Sequence, residues 1–363
     1  MNKYPYLKII NILLITGIFL FYIFLPFQIE AEENYRGHME KGTTEVYDTE
    51  DNYIFSTARQ VTENDKYISE DNIEYVIIKV EENKAIAEKK GKVDLLEDVE
   101  TKSSIPLLAQ DAKKLIAFYH THNGESYLPG PENVEGKGEI HEIGNYFAQK
   151  LEENGIKAIH SEEMHIPHDG AAYTRSRRTA LALNKNRPDI IFDLHRDAIP
   201  DPEEYIKRIG NKEMTQIRLV IGRQNPNRKV NEQFARHLKA ISDEQTPGLI
   251  RDIFYGNGEY NQSIHPRALL LEFGTYKNNE DMVKNSATTL TKAISKYIYG
   301  GNLDQPAGTG AQNRSAWYTL SWILAIFVIG ILTYLYINEG NWQGVMDRIR
   351  KFFKEEIIDN IKR

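Results

Sequence analysis

Between Lys113 and Gly300 short, mainly apolar runs alternate with segments of helical period. Residues 115–119, 190–194, 217–221 and 268–271 read as buried strands. Ile140, Ile143, Phe147 and Leu151 share one face of a helix that ends near Gly155. Val230, Phe234, Leu238 and Ile241 repeat the pattern, and Met282, Leu290, Ile294 and Ile298 predict a closing helix. Strands alternating with helices predict an α/β fold with a mainly parallel sheet covered by helices on both faces. Upstream, residues 30–60 are polar and acid-rich and read as a linker. The run IEYVIIKV (73–80) predicts a strand, with KAIAEK after Glu81-Glu82-Asn83 as its hairpin partner. Residues 30–110 are therefore expected to form a linker and small β-rich stalk, and 111–300 the main domain. Residues 301–315, rich in Gly, Gln, Asn and Pro, form a further linker.

Two segments have membrane character. Residues 7–27 are apolar but for Lys8 and Asn11. Residues 1–29 read as an N-terminal membrane anchor or signal; the run exceeds the roughly 7–15 apolar residues of a secretory signal, and Ile29-Glu30-Ala31 is a poor cleavage site, which favours the anchor. Residues 316–338 are long enough to span a bilayer, with Trp317, Tyr318 and Trp322 near one end and Tyr334 and Tyr336 near the other. Arg348, Arg350, Lys351, Lys354, Lys362 and Arg363 follow that span and place the tail in the cytoplasm. Lys3 and Lys8 put the N-terminus on the same side, so the intervening domain is expected outside the cytoplasm. In the tail, 339–363, Trp342, Val345, Ile349, Phe352, Phe353 and Ile357 fall at helical spacing among basic residues, as in a helix lying on the inner membrane surface.

Composition narrows the chemistry. With 363 residues, 41% of them hydrophobic, a sizeable core is available. The net charge of −7 argues against nucleic acid as the main partner. There is no cysteine, so any transition-metal site is built from His and carboxylate, which suits zinc.

The ends of the apolar runs carry such groups. FYHTHNGE presents His120, His122 and Glu125, IIFDLHRD presents His195, and ALLLEFG presents Glu272. Ligands of parallel α/β sheets bind outside the carboxyl ends of the strands, where all of these lie. Two imidazoles, a carboxylate at His-x-x-Glu spacing and a distant carboxylate are the parts of a catalytic zinc hydrolase: about three N/O ligands, an open position for water, and a Glu to take the proton. In an extended strand His120 and His122 point to opposite sides, so one is expected to ligate. His122 with Glu125 is the favoured pair, similar to that of zinc carboxypeptidases, and His120 is the alternate if the strand ends a residue early. His195 is the expected third ligand. Asp193 and Asp197 flank it and are candidates for orienting imidazole N–H groups. Arg196 suits an oxyanion or a substrate carboxylate. In GNGEYNQ, Asn257, Tyr260, Asn261 and Gln262 suit hydrogen bonds to a substrate and equally suit a turn. Arg175, Arg177 and Arg178 read mostly as a solvated helix face, and His141 as a surface residue. The histidines at 38, 160, 165, 168, 237 and 265 fall outside the motifs.

HTHNGESYLP, DLHRDA, GNGEYNQ and LLLEFG, in that order over roughly residues 110–300, resemble the stage II sporulation protein P family. These are peptidoglycan amidases of spore-forming bacteria, related to zinc-dependent N-acetylmuramoyl-L-alanine amidases. The resemblance implies a zinc amidase-like domain that cleaves the amide between N-acetylmuramic acid and L-alanine. It implies further cleavage of stem peptides as an alternative activity, and a sporulation membrane complex with a glycan-cleaving partner. By the same resemblance Glu272 matches the catalytic Glu of amidases, His195 matches a ligand His, and Glu139, at the start of the first helix, competes with Glu125 as carboxylate ligand. A second, C-terminal span departs from the family pattern. A non-catalytic wall-binding scaffold is the reading of a different class.

Overall fold

A computed structural model describes residues 42–97, 114–299, 335 and 337–352. The apolar run 7–27, nearly all of 316–338, the linker 301–315 and the tail beyond residue 352 lie outside these residues. Among the described residues no helix is long and apolar enough to cross a membrane.

The first described segment makes five strands, β1 (Thr44–Asp48), β2 (Tyr53–Thr57), β3 (Lys66–Ile68), β4 (Ile73–Glu81) and β5 (Lys84–Lys92). The second continues with β6 (Leu115–Tyr119), α1 (Ile140–Glu153), β7 (Lys157–His160), α2 (Ala172–Asn184), β8 (Ile190–Asp197), β9 (Ile206–Ile209), β10 (Lys212–Thr215), β11 (Ile217–Gly222), α3 (Arg228–Gln245), β12 (Ile250–Gly256), β13 (Ala268–Thr275) and α4 (Glu280–Tyr299). Eleven strands form one sheet in the order β2-β1-β5-β4-β3-β12-β11-β13-β8-β6-β7, and β9 and β10 make a separate hairpin.

The sheet is mixed, which corrects the expectation of a mainly parallel one. β7, β6, β8 and β13 are mutually parallel, but β13 runs antiparallel to β11, and β3 runs antiparallel to β12. The reason lies between β12 and β13: residues 257–267 hold only the one-turn helix Gln262–Ile264. That connection is too short for a helical crossover, so β13 returns in the opposite sense. A strand buried on both faces reads as apolar whichever way it runs, so periodicity does not reveal direction.

Alternate residues separate two cores. Ile116 and Phe118 join Ile143 and Phe147 of α1, Phe234 of α3 and Leu290 of α4. Ala117 and Tyr119 pack instead with Ala180 and Leu183 of α2. Each large apolar side chain buried this way contributes about 1.5–3 kcal/mol. Helices thus cover both faces, but over β11–β13 the α2 side is covered by the N-terminal strands, where Val46 and Phe55 pack on Val220, Phe254 and Leu270.

The hairpin β4–β5 forms with Glu82 at its turn, at φ 47. Residues 44–57, read from sequence as linker, instead make β1 and β2. Residues 42–97 are joined to the main sheet through the β3–β12 pairing and are continuous with it. Residues 305–363 form a second unit. Its described part includes α5 (Trp342–Phe352), where Val345 is buried, Trp342 and Met346 are exposed, and Arg348 donates to Glu339 Oε1, just before the helix, at 3.2 Å.

Candidate metal centre

β6 and β8 lie side by side with Tyr119 opposite Asp193, so the chain leaving β6 runs on beside Leu194 and His195. There His122, Glu125 and His195 converge, all buried, with one ligand atom from each within 4.8 Å of the others. Glu125 Oε1 lies 3.3 Å from His122 Nδ1 and 3.1 Å from His195 Nδ1. These spacings match the separation of about 3.3 Å that tetrahedral bonds of 2.0–2.1 Å require. Two imidazole nitrogens and a carboxylate oxygen are also the donor set of catalytic zinc.

The loop after β6 is folded tightly to present Glu125. Val134 N–H donates to Gly124 O at 2.9 Å, and Gly138 N–H to Asn123 O at 2.8 Å. A Cβ on Gly138 would stand 2.1 Å from Glu125 O, so any side chain there would push Glu125 out of place. Arg196 clamps the same loop. Its backbone N–H donates to Glu125 Oε2 at 2.9 Å, and its Nη2 donates to Glu132 O at 2.7 Å and Asn133 Oδ1 at 2.8 Å. The Arg196 side chain is buried and engaged with the loop backbone.

Charge in the cluster is tightly coupled. Burial pushes His122 down to about 3. Burial also opposes charge on His195, but Asp193 and Glu125 outweigh it and push that imidazole up to about 10. Glu125 is held well below the usual carboxylate range by His195 and His122, against its burial. Without a metal, the two carboxylates therefore favour the imidazolium form of His195, with Nδ1 facing Glu125 and Nε2 facing Asp193. Asp193 Oδ1 is 3.0 Å from His195 Nε2 and accepts from Thr121 N–H at 2.8 Å, so it fixes the ring and the strand end together.

Glu272 stands opposite His195 in the β13–β8 register and is fully buried. Its Oε1 accepts from Arg59 Nε at 2.6 Å, and its Oε2 accepts from Tyr205 at 3.3 Å and lies 3.6 Å from Arg218 Nη1. Burial pushes its carboxyl up, against Arg59 and Arg218. Asp197 belongs to this network: it accepts from Arg218 at 2.9 Å, Tyr205 at 3.0 Å and the Ala58 N–H at 3.1 Å. Of the flanking pair, Asp193 therefore touches His195, whereas Asp197 ties β8 to Arg218 and the N-terminal strands.

The remaining expectations divide. The His120 ring is not in this cluster; it lies with His141 and His160. His141, expected at the surface, is buried, because α1 turns it toward the sheet edge. Glu139 immediately precedes α1 and is outside the cluster; its Oε2 is buried without a hydrogen-bond partner. Asn261 donates to Tyr173 O and Ser176 Oγ, and Gln262 bonds Gly222 N–H and Val220 O, so both lock the β12–β13 connection from inside. Tyr260 is buried against Tyr173 and Arg59. Asn257 is half-buried and bonds Gln224 at 2.8 Å. Arg177 pairs with Glu259 at 3.1 Å, and Arg175 with Asp169. Two residues, one beside the cluster and one beside Glu272, escaped the sequence reading. His168 stacks on the His122 ring at 4.0 Å, with only its spacing from His165 as a signal. Arg59 sits in a segment with no motif at all.

Fold and cluster define an α/β protein with a candidate zinc-type centre at the ends of its sheet strands. The chain belongs to the stage II sporulation protein P family, whose profile matches residues 27–295. Stage II sporulation protein P of Bacillus subtilis (strain 168) is 32% identical over 209 residues, 52% of this chain and 52% of that one. The match thus spans about half the length of that curated relative. Among solved structures, the N-acetylmuramyl-L-alanine amidase Ami1 of Mycobacterium smegmatis is 15% identical over 52% of this chain and 96% of its own, with a TM-score of 0.34. The CwlD amidase of Clostridioides difficile, solved with the GerS lipoprotein, is 13% identical over 52% and 99%, with a TM-score of 0.35. At such scores the likeness carries no argument about this chain.

Proposed function

We propose that this chain is a zinc-dependent peptidoglycan hydrolase that cleaves the amide between N-acetylmuramic acid and the L-alanine of the stem peptide during sporulation. The observation that carries the reading is the buried convergence of His122, Glu125 and His195 in a member of this family. Zinc bound there supplies a polarised carbonyl and a water of lowered pKa. The chain's own residues divide the remaining work. Asp193 orients His195, and Arg196 positions Glu125 by holding its loop. Glu272, opposite His195, takes a proton and returns it to the leaving nitrogen; burial supports this by raising its pKa toward the working range. Arg59 holds Glu272, so proton transfer requires that contact to loosen. The apolar segments 7–27 and 316–338 support anchoring at the membrane, with the domain facing the wall and both ends inside.

Intact sacculi are digested with the full-length chain and zinc, beside His122→Ala, Glu272→Gln and a chelated control, and the released ends are read by mass spectrometry. Stem peptides with free N-terminal alanine, absent from the controls, are the expected result. Cleavage confined to the stem peptides would move the assignment to an endopeptidase. No release by a chain that holds zinc would overturn the catalytic reading and favour a wall-binding role.

A further inference from the structure

Twisting away from the His122 centre, the same strand end aims His120 at a second group of histidines. His141 comes from the first turn of α1 and His160 from the end of β7. One ring nitrogen from each of the three lies within 4.8 Å of the others. His120 and His141 are buried, and His160 is half-buried at the outermost strand of the sheet.

The hydrogen bonds around the group fix the tautomers of His120 and His160. His120 Nδ1 is 3.0 Å from Leu194 O, which only accepts, so this nitrogen carries the hydrogen. His160 Nδ1 is 2.9 Å from Asn145 Oδ1, and Asn145 is oriented by its Nδ2, which donates to Glu162 Oε1 at 3.4 Å. Both Nε2 atoms are then left with lone pairs, and they face each other at 2.7 Å. Two lone pairs at that distance repel unless a cation lies between them. His141 Nε2 accepts from Asn123 Nδ2 at 3.1 Å, so its Nδ1 carries the hydrogen and is buried without a hydrogen-bond partner; to ligate through Nδ1, His141 must shift that hydrogen to Nε2 and give up the Asn123 contact. An imidazole whose far nitrogen donates to a carbonyl is the usual arrangement of a metal-bound histidine.

A second feature points the same way. Gly144 lies one turn after His141, inside α1. A Cβ there would stand 2.6 Å from His160 Cε1, 2.7 Å from His160 Nε2 and 2.9 Å from His120 Nε2. Glycine in a helix interior costs roughly 0.5–1 kcal/mol against alanine. Here it keeps open the space into which the two Nε2 atoms point.

We propose that His120, His141 and His160 form a second metal site, taking zinc or a similar divalent transition ion on three neutral imidazoles. The Nε2 atoms must open from 2.7 Å to about 3.3 Å to share such an ion. The half-buried ring of His160 leaves the side through which the ion and a water enter. Glu162, which accepts from Lys137 at 2.9 Å, is a carboxylate whose charge acts on both His141 and His160. The ion would tie the end of β6 to α1 and β7, and so hold Thr121 and His122 in place for the first centre without touching substrate.

Metal content of the full-length chain, dialysed against zinc and then against buffer, tests it. The wild type is expected to hold about two zinc ions per chain, and His141→Ala about one. His122→Ala is expected to keep one, and the double variant none. Titration of the stripped chain with cobalt alone should give two phases of visible absorption, with His141→Ala losing one. A single zinc that survives His141→Ala and disappears with His122→Ala overturns the second site. A single zinc with the reverse behaviour keeps the triad and overturns the first centre. Absence of zinc from the wild type overturns both. If circular dichroism shows that His141→Ala does not fold, His160→Gln, on the half-exposed edge strand, takes its place with the same expectations.

Discussion

Replacing Arg59 with leucine probes the contact between the N-terminal strands and Glu272. The pair is fully buried, with Nε and Oε1 at 2.6 Å. Without Arg59, Glu272 keeps the Tyr205 hydroxyl at 3.3 Å and one cation, Arg218 at 3.6 Å, and Arg218 is shared with Asp197 and Asp252 at 2.9 Å each. Removing one partner of a buried ion pair costs about 3–5 kcal/mol. In a domain of this size each kcal/mol lowers the melting temperature by roughly 2–4 °C, so a fall of roughly 6–20 °C is expected. The pH dependence has a definite sign. Loss of Arg59 moves the Glu272 pKa further above its ordinary 4.5, so the folded state binds the proton more tightly than the unfolded one. A group with a raised folded pKa contributes stability that is full below the unfolded value and lost as pH rises through the folded value. The deficit of the variant should therefore be smaller at pH 5 than at pH 8. Thermal melts followed by circular dichroism, with chelator present throughout, measure both quantities. Arg59→Leu combined with Glu272→Met should recover most of the loss, because no charge is then left buried alone. A deficit below about 1 kcal/mol, a deficit independent of pH, or a double variant no better than the single would refute the reasoning.

Asp193→Asn should weaken zinc binding about 10–100-fold, read by competition with a chelating dye; an unchanged affinity would remove Asp193 from its orienting role. Zinc affinity should rise about tenfold per pH unit between pH 6 and 8, because binding must expel the proton that Asp193 and Glu125 hold on His195, and a flat profile would contradict that proton. Since the chain has no cysteine, Lys185→Cys places a single thiol on the exposed end of α2. A membrane-impermeant maleimide should label it on intact cells, and labelling only after lysis would reverse the proposed topology.

The parts of this protein legible in its sequence are those with local periodicity. The helix carrying Ile140, Ile143, Phe147 and Leu151 spans 140–153, and the run before His120 is a strand, because burial on one face or two writes a repeat into the chain. His122, Glu125 and His195 were legible because ligand-type residues at the ends of apolar runs have few other reasons to be there. The direction of β13 was not, since both senses bury the same leucines. The short strands β1 and β2 lie among acids and carry too few apolar positions to stand out. Arg59 and His141 were missed for a related reason: each looks like a solvated residue until a partner far along the chain covers it, Glu272 for the one and His120 and His160 for the other.

The pairing of β3 with β12 sets an order on how the chain can assemble. Residues 66–68 leave the ribosome long before residues 253–255 exist, and Arg59 waits 213 residues for Glu272. Through that interval β3 is an open edge, and an unpaired edge is a template for pairing with other chains. Contacts so distant also slow folding, because loop-closure entropy is lost before they form. The fold therefore cannot mature piecemeal from its N-terminus. The early strands must be kept from one another's edges until β12 arrives, which makes delivery of the whole chain, rather than the chemistry of its centre, the step most exposed to aggregation.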